Sequence, residues 1–347
     1  MGLTEARRDG FGANKPHIDA QGYCGQPADS LIAVPNRWNC RLSQRPQVVA
    51  AVSTAGRFSG RIELMIEHLR QLGRELGLDA VGIAPATEEV RRVYPWARSV
   101  VCAAISYLPP ERPVSNNAPR GWVARFARSV DYHVVLRAKL DKLANVLASA
   151  GARTEICVDT NPLPERKLAV LAGIAWRGWN GCVFVEGCGS WVALGEVVTD
   201  LDLPAASVVE ADRCGDCRDC IEACPTGAIT APYIVDRSRC LSHITQAGGV
   251  ISDGMKAKLG DRIYGCDTCQ EVCPQNGEVV PTTPEFAEDV FPGANPELMP
   301  LIELSKAEFD DRVRHSSIGW IGRNRIRRNA AIALGNVKRQ PAPLLSS

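Results

Sequence analysis

The chain has 347 residues, of which 45% are hydrophobic and 23% charged, with a formal net charge of +1 at neutral pH. This length allows about two or three domains and a sizeable core, so the fold does not depend on disulfide staples. No apolar run reaches the ~18–20 residues of a membrane-spanning helix, and the first residues lack the pattern of a signal peptide. The composition therefore excludes a small disulfide-stapled protein and a chain with membrane-spanning helices.

The N-terminal stretch, residues 1–58, alternates Gly, Pro, Asn, Gln and charged residues without helical or strand periodicity. This composition predicts a disordered or loosely docked extension. Cys24 and Cys40 lie in it. We interpret both as incidental, because the ligand sets described below are complete without them.

Helical and strand patterns alternate from residue 59 onward. Apolar residues at helical spacing predict a helix over about 61–76, and a second helix follows Asp131 and stops near Gly151. Strands are predicted over residues 79–84, 100–106 and 154–159. Strands that alternate with helices indicate an α/β layer.

The segment 161–200 is the richest in glycine and tryptophan. Glycines beside tryptophans are consistent with a backbone that approaches a flat ligand. They are equally consistent with a pair of strands packed on a tryptophan. The sequence leaves both interpretations open.

Two cysteine runs carry the strongest chemical signal. The first reads C-G-D-C-R-D-C-I-E-A-C-P from residue 214, and the second reads C-D-T-C-Q-E-V-C-P from residue 266, with Cys240 upstream. In ferredoxins, runs with this spacing give three thiolates to one 4Fe–4S cluster and a fourth to another. The crossed pattern predicts one cluster on Cys214, Cys217, Cys220 and Cys273, and a second on Cys224, Cys240, Cys266 and Cys269.

Zinc sites are the main alternative, because C-x-x-C pairs also bind zinc, and disulfides are a further one. Zinc sites do not require two paired runs of this form, so the two clusters are favoured. Thiolate ligands need a reducing compartment, and we therefore expect the cytoplasm. The centre of the chain is predicted to move single electrons.

The C-terminal region combines a proline-punctuated segment, 281–300, with a predicted helix over about 323–334. From Arg312 onward there are eight Lys or Arg residues and no Asp or Glu. Such a run offers several phosphate contacts and indicates nucleic-acid binding. A solvated helix face is the alternative interpretation.

Several motifs, taken in this order, resemble those of the epoxyqueuosine reductase family. They are L-G-L-D-A-V-G-I-A at 76–84, S-Y-L-P at 106–109, D-Y-H at 131–133, V-D-T at 158–160, G-S-W at 189–191, R-I-Y-G-C-D-T-C-Q at 262–270 and R-R-N-A-A-I-A-L-G-N at 327–336. The resemblance covers about residues 61–338, and it is specific because other ferredoxins share the cysteines but not the flanking motifs. It implies the last step of queuosine biosynthesis on tRNA, with cobalamin and two 4Fe–4S clusters as cofactors and an unidentified reductant as partner.

The resemblance also implies an α+β fold in three parts after the 1–58 extension. Residues 59–208 would form a nitroreductase-like cobalamin-binding catalytic domain, similar to that of reductive dehalogenases. Residues 209–280 would form a ferredoxin-like domain for the two clusters. Residues 281–347 would form a linker and a short, basic, HEAT-like helical tail.

The resemblance assigns roles to individual residues. Asp159 of V-D-T matches the proposed general acid, and a partly apolar site would favour the protonated form that such a role requires. Without the resemblance, the sequence predicts that Asp159 and Asp131 are helix N-caps, because Asp is a preferred residue at that position. The resemblance places the corrinoid beside Tyr107, Asp131, Asp159, Trp179, Asn180, Leu194, Gly195, Ser242, Cys266 and Asp267. It places tRNA against Arg323, Arg325, Arg327 and Arg328.

Five residues depart from the family pattern. Trp179 stands where a lysine is usual, His243 and Ala247 replace a tyrosine and an acid, and Cys182 and Cys188 are unexpected. These departures keep two alternatives open. One is a reductase of the same type that acts on another substrate, and the other is a non-enzymatic protein that transfers electrons or activates a corrinoid.

Overall fold

The structure is a computed structural model that describes residues 59–109, 118–159, 161–206, 212–280 and 283–339. The predicted extension at 1–58, including Cys24 and Cys40, lies outside these residues, and so does Thr160 of the V-D-T motif. Within the described ranges, no helix combines the length and the apolar character needed to cross a membrane.

Short helices and strands alternate along the chain. The first part contains α1 (Ser59–Glu75), β1 (Ala80–Pro85), α2 (Glu88–Val93), β2 (Ser99–Ser106), β3 (Trp122–Val123), α3 (Tyr132–Ser149), β4 (Thr154–Cys157), α4 (Glu165–Leu171), β5 (Trp176–Arg177), β6 (Val183–Phe184) and β7 (Val192–Thr199). The second part contains α5 (Asp219–Glu222), β8 (Ile229–Ala231), β9 (Ile234–Val235), α6 (Leu241–Gln246), α7 (Asp253–Leu259), β10 (Arg262–Tyr264), α8 (Thr268–Glu271), α9 (Leu298–Glu303), α10 (Lys306–Glu308) and α11 (Arg323–Val337). The predicted helices and strands before residue 160 are confirmed to within a few residues.

A four-stranded sheet in the order β1-β2-β7-β4 forms the centre of the first part. Helices α1 and α3 cover one face, where Leu69, Leu136 and Leu140 are fully buried. Helix α4 covers the other face through Leu168. Both layers bury apolar side chains against the sheet, and this packing fixes the positions of its strands.

Every neighbouring pair of strands in this sheet is antiparallel. The alternation of helices and strands in the sequence did not reveal the direction of the strands. A parallel neighbour requires a long crossover connection, and α2, between β1 and β2, has only six residues. A helix of that length spans about 9 Å, whereas the eight residues of β2 extend about 26 Å. The helix is too short to carry the chain back to the start of β1. Strand β2 therefore begins beside the end of β1 and runs antiparallel to it, and the fold is α+β.

The glycine- and tryptophan-rich segment forms a small strand pair. Trp176 of β5 pairs with Phe184 of β6, and their rings stack with centroids 4.5 Å apart. A Cβ at Gly178 would collide with the Phe184 ring. The interpretation as two strands packed on a tryptophan is confirmed.

The cysteine-rich segment is joined to the first part by strand pairing. β10 runs parallel to β3, with Arg262 opposite Trp122. Val123 and Tyr264, one from each strand, are both buried in a second hydrophobic cluster. This pairing sets the cysteines beside the sheet domain.

The C-terminal region packs on the protein more extensively than a linker and tail would. Leu298, Leu301 and Leu304 are buried in the second cluster together with residues of α11. The fully buried Asn329 donates two hydrogen bonds, to Thr245 O at 2.8 Å and to Ile263 O at 2.7 Å. The prolines suggested a linker, but the leucines between and after them anchor this segment to β10.

Candidate active site

An open cleft lies between the sheet domain and the cysteine-rich segment. Its empty volume, including the space open to solvent, is about 1200 Å³. Val192, Ala193 and Leu194 at the start of β7 line it, and so does Asp159. Five cysteines also line the cleft, Cys182, Cys224, Cys240, Cys266 and Cys269. The last four are the set predicted to hold the second cluster.

The described lining of the cleft does not include the other predicted set. The thiol of Cys220 interacts electrostatically with those of Cys269, Cys273, Cys214 and Cys217, so the two predicted sets adjoin each other. Burial and then the neighbouring thiols raise the pKa of Cys220 to about 12. Cluster ligation requires thiolates, so binding of a cluster to these cysteines is coupled to loss of their protons.

The alternatives to clusters receive no support from the described part of the chain. All twelve cysteines in it are free of disulfide bonds. In the same residues, no three His, Cys, Asp or Glu side chains converge tightly enough for a single metal ion. A 4Fe–4S cluster does not need that convergence, since each of its four thiolates binds a different iron atom.

Asp159 stands just beyond β4, at the edge of the cleft. Its φ of 50° lies in the left-handed region, which is uncommon for a residue other than glycine. Oδ2 accepts a hydrogen bond from the Tyr132 hydroxyl at 2.7 Å, and Nε2 of His133 lies 3.9 Å from the same oxygen. Helix α4 starts after Pro164, so Asp159 does not cap it. Its side chain instead meets Tyr132 and His133 where Asp159 lines the cleft.

Helix α3 positions the two partners of Asp159. Asp131 is its N-cap and accepts a hydrogen bond from the His133 backbone N–H at 3.0 Å, so the capping interpretation is confirmed. Burial would raise the pKa of Asp131, but the hydrogen bonds and charge of His133 outweigh it, and this pKa is lowered. Asp131 thus fixes the first turn of α3, whose Tyr132 and His133 rings stack at 4.2 Å.

Two further carboxyl groups adjoin Asp159. Oε1 of Glu165 accepts a hydrogen bond from the Asp159 backbone N–H at 2.6 Å. Burial, and next the negative charge of Asp159, raise the pKa of Glu165 to about 8. Glu196 of β7 is 0% exposed, and burial followed by the charge of Glu165 raises its pKa well above the usual range. These interacting groups cannot all ionise at low cost, so the cluster retains a proton at neutral pH.

Most of the residues expected to contact the corrinoid line the cleft. Asp267 is almost fully buried, accepts a hydrogen bond from the Arg125 backbone N–H at 2.8 Å, and has a pKa raised by burial to about 6. The Asn180 side chain donates to Cys269 O at 3.3 Å. The lining set among the predicted residues is Tyr107, Asp159, Asn180, Leu194, Ser242, Cys266 and Asp267.

Three of the predicted residues lie off the cleft wall. Asp131 is the cap described above. The backbone N–H of Trp179 donates to Cys214 Sγ at 3.4 Å, which places this residue at the first cysteine set. Gly195 faces α3, where an added Cβ would lie 2.7 Å from Leu140 Cδ1. Gly195 therefore allows close packing of the helix on the sheet.

The motifs did not identify several residues of the cleft. Gln270 accepts a hydrogen bond from the Ser190 hydroxyl at 2.9 Å and one from the Tyr107 hydroxyl at 3.5 Å. Phe126 and Tyr132 form an aromatic side of the cleft. Signals were nevertheless present in the sequence, since Tyr132 is the middle residue of D-Y-H, Ser190 is that of G-S-W, and Gln270 ends R-I-Y-G-C-D-T-C-Q.

The four arginines expected at tRNA fasten α11 to the protein through backbone carbonyls. Arg323 donates to Leu304 O and Arg327 to Ile302 O, whereas Arg325 donates to Gln246 O. Arg328 donates to Gly249 O at 2.8 Å. A guanidinium has five N–H donors, so these bonds leave donors for phosphate.

Comparison with known proteins places this cleft in a family. Residues 213–276 match the model of a 4Fe-4S double cluster binding domain, and residues 88–160 match the model "Epoxyqueuosine reductase QueG, DUF1730". The epoxyqueuosine reductase of Shewanella oneidensis is 40% identical over 249 residues, covering 68% of this chain and 63% of that one. The epoxyqueuosine reductase of Burkholderia pseudomallei is 34% identical over 336 residues, covering 79% of this chain and 82% of that one.

Solved structures give the same result. A crystal structure of epoxyqueuosine reductase with a tRNA-Tyr epoxyqueuosine-modified stem loop is 33% identical and has a TM-score of 0.75, covering 80% of this chain and 82% of that one. The chain spans less than two thirds of some curated relatives, 63% of the Shewanella protein and 64% of one from Bacillus subtilis. The matches to the Burkholderia relative and to the solved structure each span more than two thirds of both chains, and they show that this chain belongs to the epoxyqueuosine reductase family.

Proposed function

We propose that this protein reduces the epoxide of epoxyqueuosine in tRNA to the alkene of queuosine. The observation that carries this proposal is the composition of the cleft. Cys224, Cys240, Cys266 and Cys269 line the cleft, and so does Asp159. A site for electrons and a group able to give a proton thus face the same space, as reductive removal of an epoxide oxygen requires.

Two 4Fe–4S clusters fit the cysteines of this chain. Cys214, Cys217, Cys220 and Cys273 would hold one cluster, and Cys224, Cys240, Cys266 and Cys269 the cluster at the cleft. The clusters supply electrons one at a time. The Trp179 N–H at Cys214 Sγ would stabilise the more negative state of the first cluster, because hydrogen bonds to cluster sulfurs raise the reduction potential.

Cobalamin fits the space between Asp159 and the cysteines. The cleft is wide, with an aliphatic side at the start of β7 and polar groups such as Ser242 and Asn180 at its edges. Such a wall suits a flat macrocycle with amides at its rim. When bound, cobalamin supplies a low-valent cobalt centre that can reduce carbon–oxygen bonds. The residues that would hold it are Tyr107, Asn180, Leu194, Ser242, Cys266 and Asp267.

Asp159 is the proposed general acid. Conversion of the epoxide to the alkene consumes two electrons and two protons and releases the oxygen as water. Asp159 would give a proton to that oxygen, and the Tyr132 hydroxyl would then stabilise the resulting carboxylate through its 2.7 Å hydrogen bond.

The proposal assigns a role to each of three parts of the chain. Residues 59–208 would be a nitroreductase-like cobalamin domain, 209–280 the ferredoxin-like domain, and 281–347 a HEAT-like basic tail that contacts tRNA through Arg323, Arg325, Arg327 and Arg328. The described tail packs on β10, and Arg325 and Arg328 donate to backbone carbonyls of Gln246 and Gly249 in the cysteine-rich segment. The substrate would meet the protein in the cytoplasm, with an electron donor that is still to be identified.

Of the residues that depart from the family pattern, Cys182 lines the cleft. Trp179, His243 and Ala247 are not among its described lining residues.

The test is conversion of an epoxyqueuosine-modified stem loop by the anaerobically reconstituted full chain, with queuosine detected by mass spectrometry. Asp159→Asn is expected to lose ~10²–10⁴-fold in turnover with unchanged iron and cobalt content. Asp141→Asn is the matched control, since Asp141 is an exposed residue of α3. Iron and cobalt without conversion by the wild type would indicate another substrate. Iron without cobalt would indicate an electron carrier.

A further inference from the structure

A glutamate lies in the middle of the buried sheet. Glu196 of β7 pairs with Cys102 of β2 on one side and Cys157 of β4 on the other, and it is 0% exposed. Its neighbours on the same face, Val198 and Leu168, are apolar and fully buried. Ionising a carboxyl group in such surroundings costs several kcal/mol or more, so the group must be neutral or share its charge.

The partner of Glu196 is another carboxyl group. In the described residues, no N–H or O–H donor reaches either carboxylate oxygen of Glu196. Its side chain interacts instead with that of Glu165, the first residue of α4. Two carboxyl groups can form a hydrogen bond only if one of them carries a proton. A fully buried carboxyl group with no described donor at either oxygen, beside a second carboxyl group, is stable only with a proton, so the pair retains at least one.

Glu165 joins this pair to Asp159. Its Oε1 accepts the Asp159 backbone N–H at 2.6 Å, six residues back along the chain. Asp159 has a φ of 50°, a conformation that is uncommon for a non-glycine residue and persists only when contacts hold it. The hydrogen bond from the Asp159 backbone to Glu165 is a contact of that kind.

We infer that Glu165 and Glu196 form a proton-sharing carboxyl pair that holds the backbone of Asp159 in position at the cleft. Both are positioning residues, since neither is assigned a contact with the reacting atoms. The inference rests on the proposed function for its catalytic meaning. The shared proton and the anchor of the loop are properties of the chain itself.

Other ionisable groups around the pair come from each packed element. The thiols of Cys102 and Cys157 flank Glu196 on the sheet, and burial raises the pKa of both, to about 11 for Cys157. Charged Arg166 lies next to Glu165 and opposes its raised pKa. The full set is Cys102, Cys157, Asp159, Glu165, Arg166, Glu196 and, through Asp159, Tyr132 and His133. Only the carboxyl groups of this set carry negative charge near neutral pH.

The pair should lose its proton at mildly alkaline pH. Burial and the charge of Asp159 raise the pKa of Glu165 to about 8, and burial raises that of Glu196 as well. Above that pH, two adjacent carboxylates repel each other. Glu165 would then be displaced from Glu196, and the anchor of Asp159 would weaken.

Infrared spectroscopy tests the shared proton without an activity measurement. The anaerobically reconstituted full chain, with glutamate labelled by ¹³C at Cδ, should lose a protonated glutamate C=O stretch as pH rises through about 8. Glu165→Gln and Glu196→Gln should each abolish that loss. Glu88→Gln, at an exposed site on α2, should retain it. A signal that is absent from the wild type, or persists in both pair variants, would overturn the inference.

Hydrogen exchange and kinetics test the positioning role. Glu165→Ala should expose the Asp159 amide to exchange at least tenfold faster, whereas Glu165→Gln keeps an acceptor oxygen and should retain protection. With modified stem loop, Glu165→Ala should lower kcat about 10²-fold with KM nearly unchanged. Glu165→Gln should restore most of kcat but lack the wild type's decline above about pH 8. Equal exchange and kcat in the wild type and Glu165→Ala would contradict positioning.

The two proposals can fail separately. If the wild type makes no queuosine but shows the infrared change and the exchange difference, the carboxyl pair stands and the proposed substrate is wrong. If queuosine forms and neither signal is present, the reductase stands and the pair is wrong.

Discussion

The Tyr132 hydroxyl donates a hydrogen bond to Oδ2 of Asp159 across 2.7 Å. Tyr132 is almost fully buried at the first turn of α3, and it lines the cleft together with Asp159. A hydroxyl that donates to a carboxylate stabilises its charged form. Tyr132 is therefore placed to stabilise Asp159 after this residue has given up its proton.

Replacing Tyr132 with Phe removes this hydrogen bond and keeps the ring. We expect kcat for queuosine formation to fall about tenfold, because a hydrogen bond to a charged group is worth ~1.5–3 kcal/mol and part of it is offset by water. KM should change little, since the phenol is not assigned a contact with tRNA. Steady-state kinetics with the modified stem loop measures both constants. A raised KM with unchanged kcat would assign Tyr132 to substrate binding instead.

The raised pKa of Glu165 predicts a pH dependence of stability. The pKa is raised in the folded state from 4.5 to about 8, so the folded chain binds more protons than the unfolded chain between these values. The contribution to stability is present in full below about pH 4.5 and is lost as pH rises through about 8. The unfolding free energy should fall by up to ~1.4 kcal/mol per pH unit in this window.

Glu165→Gln removes the titrating group and should flatten this slope. Thermal unfolding of the anaerobic protein at several pH values across the window provides the comparison. Glu88→Gln on exposed α2 should follow the wild type. A Glu165→Gln variant with the wild-type slope would show that Glu165 does not carry the extra proton.

The crossed ligand sets predict a loss of iron that depends on the cysteine replaced. Cys240→Ser removes a ligand of the cluster at the cleft, and the iron content should fall from about eight to about four per chain. Cys182→Ser is the matched control, because Cys182 lines the same cleft without belonging to either set. It should keep about eight irons. Iron analysis and the optical spectrum after anaerobic reconstitution report the result, and equal loss in both variants would refute the assignment.

The side chain of Asn329 is expected to hold the C-terminal helix α11 on the protein. Its side chain donates to Thr245 O and Ile263 O, and it is 0% exposed. Asn329→Ala leaves two buried carbonyls without donors, which should cost about 2–4 kcal/mol of stability. Asn324→Ala, at an exposed position of the same helix, should cost less than about 1 kcal/mol. Denaturant unfolding measures both, and equal effects would remove the structural role of Asn329.

The arginines of α11 predict a salt-dependent affinity for RNA. Arg325→Gln and Arg328→Gln keep a donor for Gln246 O and Gly249 O but remove the charge. Each should weaken stem-loop binding and reduce the slope of log affinity against log salt by about 0.7–0.9. Fluorescence anisotropy at several salt concentrations measures this slope. The exposed Arg74→Gln of α1 is the control, and an unchanged slope in the α11 variants would place tRNA elsewhere.

The features that the sequence predicts well are local ones. The cysteine spacing predicts both ligand sets, because Cys214, Cys217 and Cys220 share one short run and Cys266 and Cys269 share another. Helices α1 and α3 were predicted by the period of their leucines. The left-handed Asp159 was found through its motif, whereas periodicity alone would have made it a cap.

The features that the sequence did not predict depend on tertiary contacts. Glu165 reaches Asp159 only because α4 folds back on the sheet, and Glu196 reaches Glu165 only through the register of β7. One signal for Glu196 existed, since a glutamate interrupts the apolar run V-A-L-G-E-V-V-T. The leucines at 298, 301 and 304 were likewise a signal of packing, but the surrounding prolines concealed it.

The central claim is that electrons from the clusters and a proton from Asp159 act on one substrate. A single-turnover experiment tests it most directly, with the reconstituted, chemically reduced protein mixed with epoxyqueuosine-modified stem loop and no further reductant. We predict one queuosine formed for every two electrons lost from the protein, and in Asp159→Asn neither queuosine nor electron loss. Queuosine formation by Asp159→Asn at the wild-type rate, or oxidation of the wild type without queuosine, would contradict the claim.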